Sequence, residues 1–369
     1  MSITRRVFLH NSALVVVGTA AIPSFLTRAV TIGNKKRLVV IFQRGAADGL
    51  NIVVPHAEPA YYAMRPSINI PRNAVIDLDG FFGLHPALAP FHPLWQQRHL
   101  AIVHAAGSPD PTRSHFDAQR FMESGTPGVK ATDDGWLNRS LRSLPGDKSA
   151  LRAIAPGPSL PRILSGNEPA VAASGIHEAV KMLKSADPAK YAPAPGANYA
   201  KGRFGDSLKQ LAQLIKANLG VQVAFADIGG WDHHVNEGST QGQIANVLGE
   251  FSQSLAAFWI DLGDLADDTV VVTMSEFGRT ARENGNRGTG HGHANVMFVL
   301  GGPVNGGKVY GRWPGLNDHQ LYEGRDLALT TDFRQVLGEA VSQHLGNHAL
   351  DQVFPGFDNQ PGKFLKVLG

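Results

Sequence analysis

Five short stretches of the chain are continuously apolar and rich in β-branched residues: Leu38–Phe42, Leu100–His104, Val221–Ala226, Thr269–Met274 and Val296–Leu300. Strands that are apolar on both faces need a layer of helices on each side, which points to a central, mostly parallel sheet. The third and fourth runs are joined by a strong helix signal, in which Ile244, Val247, Leu248, Phe251, Leu255, Phe258, Trp259 and Leu262 recur at three- and four-residue steps. Ser239 or Thr240 stands where an N-cap is expected. Strand, helix and strand at this spacing form a βαβ unit. A second helix is predicted over Asp206–Leu219, with Gly220 as its stop. The expected fold class is α/β, three-layered, with a mostly parallel central sheet and helices on both faces.

Polar clusters follow three of these strands. After Phe42 comes Gln43-Arg44-Gly45-Ala46-Ala47-Asp48-Gly49. After Ala226 comes Asp227-Ile228-Gly229-Gly230-Trp231-Asp232-His233-His234, and after Met274 comes Ser275-Glu276-Phe277-Gly278-Arg279-Thr280. Parallel sheets bind ligands at the edge where strands end, so residues distant in sequence can meet there.

The chain has no cysteine, so disulfides and thiolate metal sites are excluded and any metal must be held by His, Asp or Glu. Asp232-His233-His234 and His291-Gly292-His293 are the sharpest candidates. Residues two apart on extended backbone point the same way, so Asp232 with His234, or His291 with His293, can grip one ion. The bland alternative is that these histidines hydrogen-bond loop carbonyls. Asp48 and Glu276 are the acidic complements, with loop hydrogen bonding and a salt bridge to Arg279 as their structural alternatives. Zinc is the first expectation, with iron, manganese or calcium as alternatives.

Ser114 opens a helix-like segment, Ser114-His115-Phe116-Asp117. It suits first an N-cap, the commoner use of Ser there, with Asp117 completing a capping-box-like pair; the sharper alternative is a nucleophile or anion anchor at the positive helix end. Gly301–Lys308 lacks the features of a phosphate-binding loop and reads as a turn between strands. Thr330-Thr331-Asp332 reads as a helix start. From about Pro145 to Gly202, Pro, Gly and Ala abound with little periodicity, which reads as a loop-rich insertion or lid within a single domain spanning residues 30–369.

Residues 1–29 have the layout of an export signal. The pair Arg5-Arg6 precedes Val7-Phe8-Leu9, a modest apolar run covers Leu14 to Leu26, and Ala29 is a small exit residue after which cleavage is expected. The twin arginine indicates the twin-arginine translocase as the export partner, and hence a periplasmic or secreted protein. The run falls short of the ~20 residues of a membrane span. Without residues 1–29, Lys+Arg falls from 34 to 31 against 31 Asp+Glu. The mature chain is then formally neutral, which gives no argument for nucleic acid.

The twin-arginine start together with Arg44-Gly45-Ala46-Ala47-Asp48-Gly49-Leu50, Ser114-His115-Phe116-Asp117, Gly229–His234, Ser275–Thr280 and Gly288–Asn295 resembles the family filed as domain of unknown function 1501. That family is similar to the alkaline phosphatase and sulfatase superfamily, in which two metals lie at strand ends beside a Ser or Thr nucleophile. The resemblance implies an alkaline-phosphatase-like sheet, with Asp48 as the first-strand carboxylate and Ser114 as the nucleophile. It also implies Asp232, His234 and His291 or His293 on one metal, with Glu276 where the superfamily has an Asp-His pair. Phe277 replaces that pair's histidine, and Gly290 stands where an aspartate is expected in the family, so each removes a ligand. The implied activity is hydrolysis of a phosphate or sulfate ester, with Arg44 or Arg113 holding its anionic oxygens. The alternative is a non-catalytic binding or envelope-assembly protein engaging a cell-surface polymer or a partner protein.

Overall fold

The computed structural model describes residues 35–145, 148–172 and 191–369. The expected export segment and part of the loop-rich stretch lie outside these residues. The first strand, β1 (Arg37–Gln43), runs through the middle of the protein, and Leu38 through Phe42 are fully buried. Its alternation explains why: Val39 and Ile41 join one apolar cluster, while Leu38, Val40 and Phe42 join another on the opposite face.

A small antiparallel sheet follows, formed by β2 (Val53–Val54), β3 (Ile76–Asp77) and β4 (Gly83–Leu84) in the order β2–β4–β3. The main sheet continues with β5 (Leu100–Gly107), β6 (Ala153–Ala155), β7 (Val171–Ala172), β8 (Val223–Ile228), β9 (Thr269–Met274), β10 (Asn295–Gly301), β11 (Lys308–Tyr310) and β12 (Thr331–Asp332). Its order is β11–β5–β10–β9–β1–β8–β6–β7, with β12 also paired to β5. All these pairings are parallel except those of β10, which runs against both β5 and β9. The five expected strands are all present. The reversal of β10 has a specific effect: residues that precede it in sequence lie at the same sheet edge as residues that follow β1, β5, β8 and β9.

Helices cover both faces. On one side α2 (Arg203–Lys216) and α3 (Gln243–Leu262) contribute Leu208, Leu211, Ile215, Leu248, Phe251 and Phe258 to the first cluster. On the other, α1 (His115–Ser124) contributes Met122, and α4 (Phe333–Glu339) contributes Phe333, Val336 and Leu337. The unit β8–α3–β9 places its two strands on either side of β1, as a parallel crossover requires.

Several local expectations change. The N-cap of α3 is Gly242 at φ 107°, with no side-chain cap, because the Ser239 hydroxyl donates instead to the Asn69 carbonyl. The helix α2 starts and ends three residues earlier than its periodicity suggests, and Asn218 (φ 54°) takes up the left-handed turn before Gly220 is reached. Ser114 occupies the N-cap position of α1 without making a cap hydrogen bond, and Asp117 pairs with Lys130 instead of closing a capping box. Asp332, by contrast, does cap α4 in a full capping box with Gln335. The stretch from Pro145 to Gly202 supplies β6 and the edge strand β7. Its far end is pinned by the buried Asp261, which accepts hydrogen bonds from Tyr191 (2.7 Å), Tyr199 (2.9 Å) and Lys216 (2.9 Å).

Two buried histidines are held neutral. His104 Nε2 donates to the Val53 carbonyl (3.0 Å) while Nδ1 accepts from the Ala105 amide (2.9 Å), and burial pushes its pKa down to about 4. His344 donates to the Arg37 carbonyl (2.9 Å) and is likewise pushed by burial to about 4. An unfolded histidine titrates near ~6.5, so the unfolded chain takes up protons first. The stability contributed by these neutral rings is present above that value and is lost as pH falls toward 4. Each should contribute about 2 kcal/mol to the fall in stability between pH 7 and pH 5. Urea unfolding at the two pH values should show the drop, and it should shrink by about that amount in His344→Gln.

Candidate metal centre

Five segments converge at the edge where β1, β5, β8 and β9 end and β10 begins. His115 is the first residue of α1, Asp232 and His234 follow β8, Glu276 and Arg279 follow β9, His291 precedes β10, and Gly45 follows β1. Among the described residues, His115, Asp232 and His291 are the group whose ligating atoms all lie within 4.8 Å of one another. His115 Nε2 is 3.0 Å from His291 Nε2 and 3.5 Å from Asp232 Oδ2, and His291 Nε2 is 3.3 Å from Asp232 Oδ1. A cation bonded at about 2.0–2.1 Å holds neighbouring ligand atoms roughly 3.0–3.4 Å apart. The donor set and its spacing therefore fit a divalent metal.

The two histidines are aimed by what lies behind them. His115 Nδ1 is 2.8 Å from Glu276 Oε1, and His291 Nδ1 is 2.8 Å from the Arg113 carbonyl. Both acceptors require an N–H at Nδ1, so each ring presents its Nε2 lone pair to the centre, as metal-bound histidines commonly do. Glu276 is buried and also accepts from the Gly45 amide (2.9 Å) and the Gln119 amide (2.9 Å). Burial pushes its carboxyl up, but the hydrogen bonds from His115, Gln119 and Gly45 outweigh this and hold it below the usual range. Glu276 in turn raises the pKa of His115 through that hydrogen bond, whereas burial lowers that of His291.

Arg279 is almost wholly buried and donates to Asp232 Oδ1 (2.6 Å), to the Thr289 hydroxyl (2.9 Å), to the Thr289 carbonyl (2.5 Å) and to His234 Nδ1 (3.3 Å). Burial raises the Asp232 carboxyl, but Arg279 more than compensates, so Asp232 stays ionised. His234 Nε2 lies 2.9 Å from both Asp232 Oδ1 and His291 Nε2. Phe277 forms a floor beneath the centre, its ring centroid 5.0 Å from those of His115 and His291.

The other candidates fall elsewhere. Asp48 is buried in a two-pronged ion pair with Arg65 (2.5 and 3.0 Å), and it neighbours Glu237, whose carboxyl is pushed well up by burial and by Asp48. A carboxylate saturated in this way has no oxygen to spare for the centre. His293 turns away and stacks on Tyr322, with centroids 4.4 Å apart, so the extended-backbone argument that paired it with His291 does not hold in this turn. Glu276 sits behind His115 and contacts the centre through it. Its expected salt bridge to Arg279 is replaced by Arg279–Asp232. Arg44 is occupied by Asp227 (2.6 Å), Glu123 (3.0 Å) and Gln119 (2.9 Å), and Arg113 by Glu323 and Asp326. Ser114 is exposed and adjoins His115. Sequence reasoning passes over His115 because capping logic draws attention to Ser114. Its signal is its place at the start of the helix that follows β5, at the same sheet edge.

Residues 170–353 match the family described as "Protein of unknown function (DUF1501)". Over that span the chain is similar to this family. No curated protein matches the sequence. Among solved structures, the chain is similar to the lipoteichoic acid synthase LtaP from Listeria monocytogenes, at 10% identity and a TM-score of 0.39, covering 76% of this chain and 67% of that one. It is similar also to the C-terminal periplasmic domain of EcEptC from Escherichia coli, solved in complex with Zn, at 10% identity and a TM-score of 0.39, covering 73% of each chain. A phosphonate monoester hydrolase of Agrobacterium radiobacter has 11% identity and a TM-score of 0.37, covering 89% of this chain and 79% of that one.

The loop that carries His291 depends on Gly292. A methyl group there would overlap the Arg279 carbonyl and the Thr280 amide, where Arg279 and His291 form a backbone bridge. Gly292→Ala should therefore lower stability by about 1–3 kcal/mol, read as a reduced urea midpoint with an unchanged slope.

Proposed function

We propose that this protein is an exported, metal-dependent hydrolase acting on a phosphate or sulfate ester, with a single metal centre on His115, Asp232 and His291. The convergence of two Nε2 lone pairs and a carboxylate at the strand-end edge carries the metal reading. The ester class rests on the motif resemblance to the alkaline phosphatase and sulfatase superfamily, and export rests on the twin-arginine layout. No helix among the described residues is long and apolar enough to cross a membrane.

A divalent metal supplies Lewis-acid polarisation of the ester oxygens. The chain's own residues then divide the work. His115 and His291 hold the metal, aimed by Glu276 and the Arg113 carbonyl, and Asp232 adds the negative charge. Ser114, exposed beside His115 at the start of a ten-residue helix, would attack or anchor the ester, with the first-turn amides turned toward its anionic oxygens. With Arg44 and Arg113 both committed to carboxylates, the anion is left to the metal, the helix end and Ser114. The binding or assembly alternative draws on Phe277 and on the engaged Asp48, which leave no second metal site among the described residues.

Elemental analysis of the purified mature protein tests the reading. One transition metal per chain is expected, lost in Asp232→Ala and His291→Ala and retained in His293→Ala. Ester hydrolysis should fall at least about 100-fold in Ser114→Ala with metal retained. A protein that takes up no metal after reconstitution would exclude the hydrolase and leave the binding role.

A further inference from the structure

The three histidines at the centre do not have equivalent hydrogen bonds. His115 and His291 each face an acceptor at Nδ1, the Glu276 carboxylate (2.8 Å) and the Arg113 carbonyl (2.8 Å). His234 Nδ1 faces a donor, the Arg279 guanidinium at 3.3 Å. A guanidinium has no acceptor site, so this contact exists only if His234 Nδ1 carries the lone pair, and a neutral ring then carries its proton on Nε2. That Nε2–H lies 2.9 Å from Asp232 Oδ1 and equally 2.9 Å from His291 Nε2, and Asp232 Oδ1 also accepts from Arg279 at 2.6 Å. Asp232 Oδ1 thus lies beside two donors and 3.3 Å from His291 Nε2, while Oδ2 lies beside His115 Nε2 at 3.5 Å.

We infer that His234 is a hydrogen-bond donor to Asp232 and not a metal ligand, so that the centre has three protein ligands and one position left open to an oxygen from outside the protein. This rests on the metal reading proposed above and deepens it. A fourth protein ligand would close a tetrahedral centre, the arrangement of structural ions, whereas three ligands and an open position are the arrangement of catalytic ones. His234 is therefore a positioning residue. With Arg279 it orients the Asp232 carboxylate toward the metal.

Cobalt(II) substitution tests this, because the visible spectrum of the ion reports coordination without any need for turnover. One cobalt per chain is expected in the wild type, with a spectrum that changes when inorganic phosphate is added. His234→Ala should still reach one cobalt per chain, bound about tenfold more weakly, as for loss of a supporting hydrogen bond. His234→Gln, whose amide restores an N–H donor, should recover most of that loss. His291→Ala should lose stoichiometric binding, and unfolding midpoints verify that each variant is folded. Nitrogen-15 NMR of the metal-free protein reads the tautomer directly and should show the proton of His234 on Nε2. The inference is overturned if His234→Ala loses cobalt as His291→Ala does, if the proton sits on Nδ1, or if phosphate leaves the wild-type spectrum unchanged. These outcomes leave the metal reading intact. A wild type that takes no cobalt overturns both.

Discussion

Arg279 brings a full positive charge into the protein with 2% of its surface exposed. Such a charge is tolerated only when its donors are matched to acceptors. Here Thr289 receives two hydrogen bonds, and Asp232 and His234 receive the others. Because Thr289 and Asp232 come from different connections, satisfying this one guanidinium fixes the loop after β8 against the loop before β10. The geometry of the centre follows from that constraint. Asp232 is ionised and oriented, His234 is held in one tautomer, and His291 is delivered beside them.

A second layer of support approaches from the opposite side. Arg44 binds Gln119, Gln119 binds Glu276, and Glu276 binds His115. These residues belong to the connection after β1, the helix α1 and the connection after β9, so His115 is located by three segments at once. The Gly45 amide joins the same carboxylate from a backbone at φ 117°, a conformation suited to glycine. Its Cβ position is also crowded by the Asp232 backbone. Two polar chains therefore converge on the centre, one through Arg279 and Asp232 and one through Arg44, Gln119 and Glu276.

The layers of the fold were legible because β1, β5, β8, β9 and β10 are apolar on both faces, a pattern that ordinary loops and surface helices do not show. The edge bearing the site was legible for the same reason, since polar residues such as Asp232 and Glu276 directly follow those strands. What the sequence did not reveal is how the polar groups pair with one another. Asp48 and Asp232 look alike in sequence, yet Arg65 neutralises the first and the second faces the histidines. His291 and His293 look alike too, but one ring enters the centre and the other stacks on Tyr322. Such choices depend on partners outside any local window, from 17 residues away for Asp48 and Arg65 to 47 for Asp232 and Arg279, which local spacing cannot reveal. Helix ends shifted for a similar reason, as when the Ser239 hydroxyl bonded Asn69 instead of capping α3.

The reversal of β10 has a consequence for how the protein assembles. Its partner β5 lies almost 200 residues earlier in the chain, and closing so long a loop is entropically costly and slow relative to local contacts. Until β10 inserts between β5 and β9, the histidine before it has no route to the histidine after β5. The cluster is therefore completed only when the whole sheet is complete, and its ability to hold an ion reports on the integrity of the entire molecule. A nascent or damaged chain with most of its helices in place would still lack it.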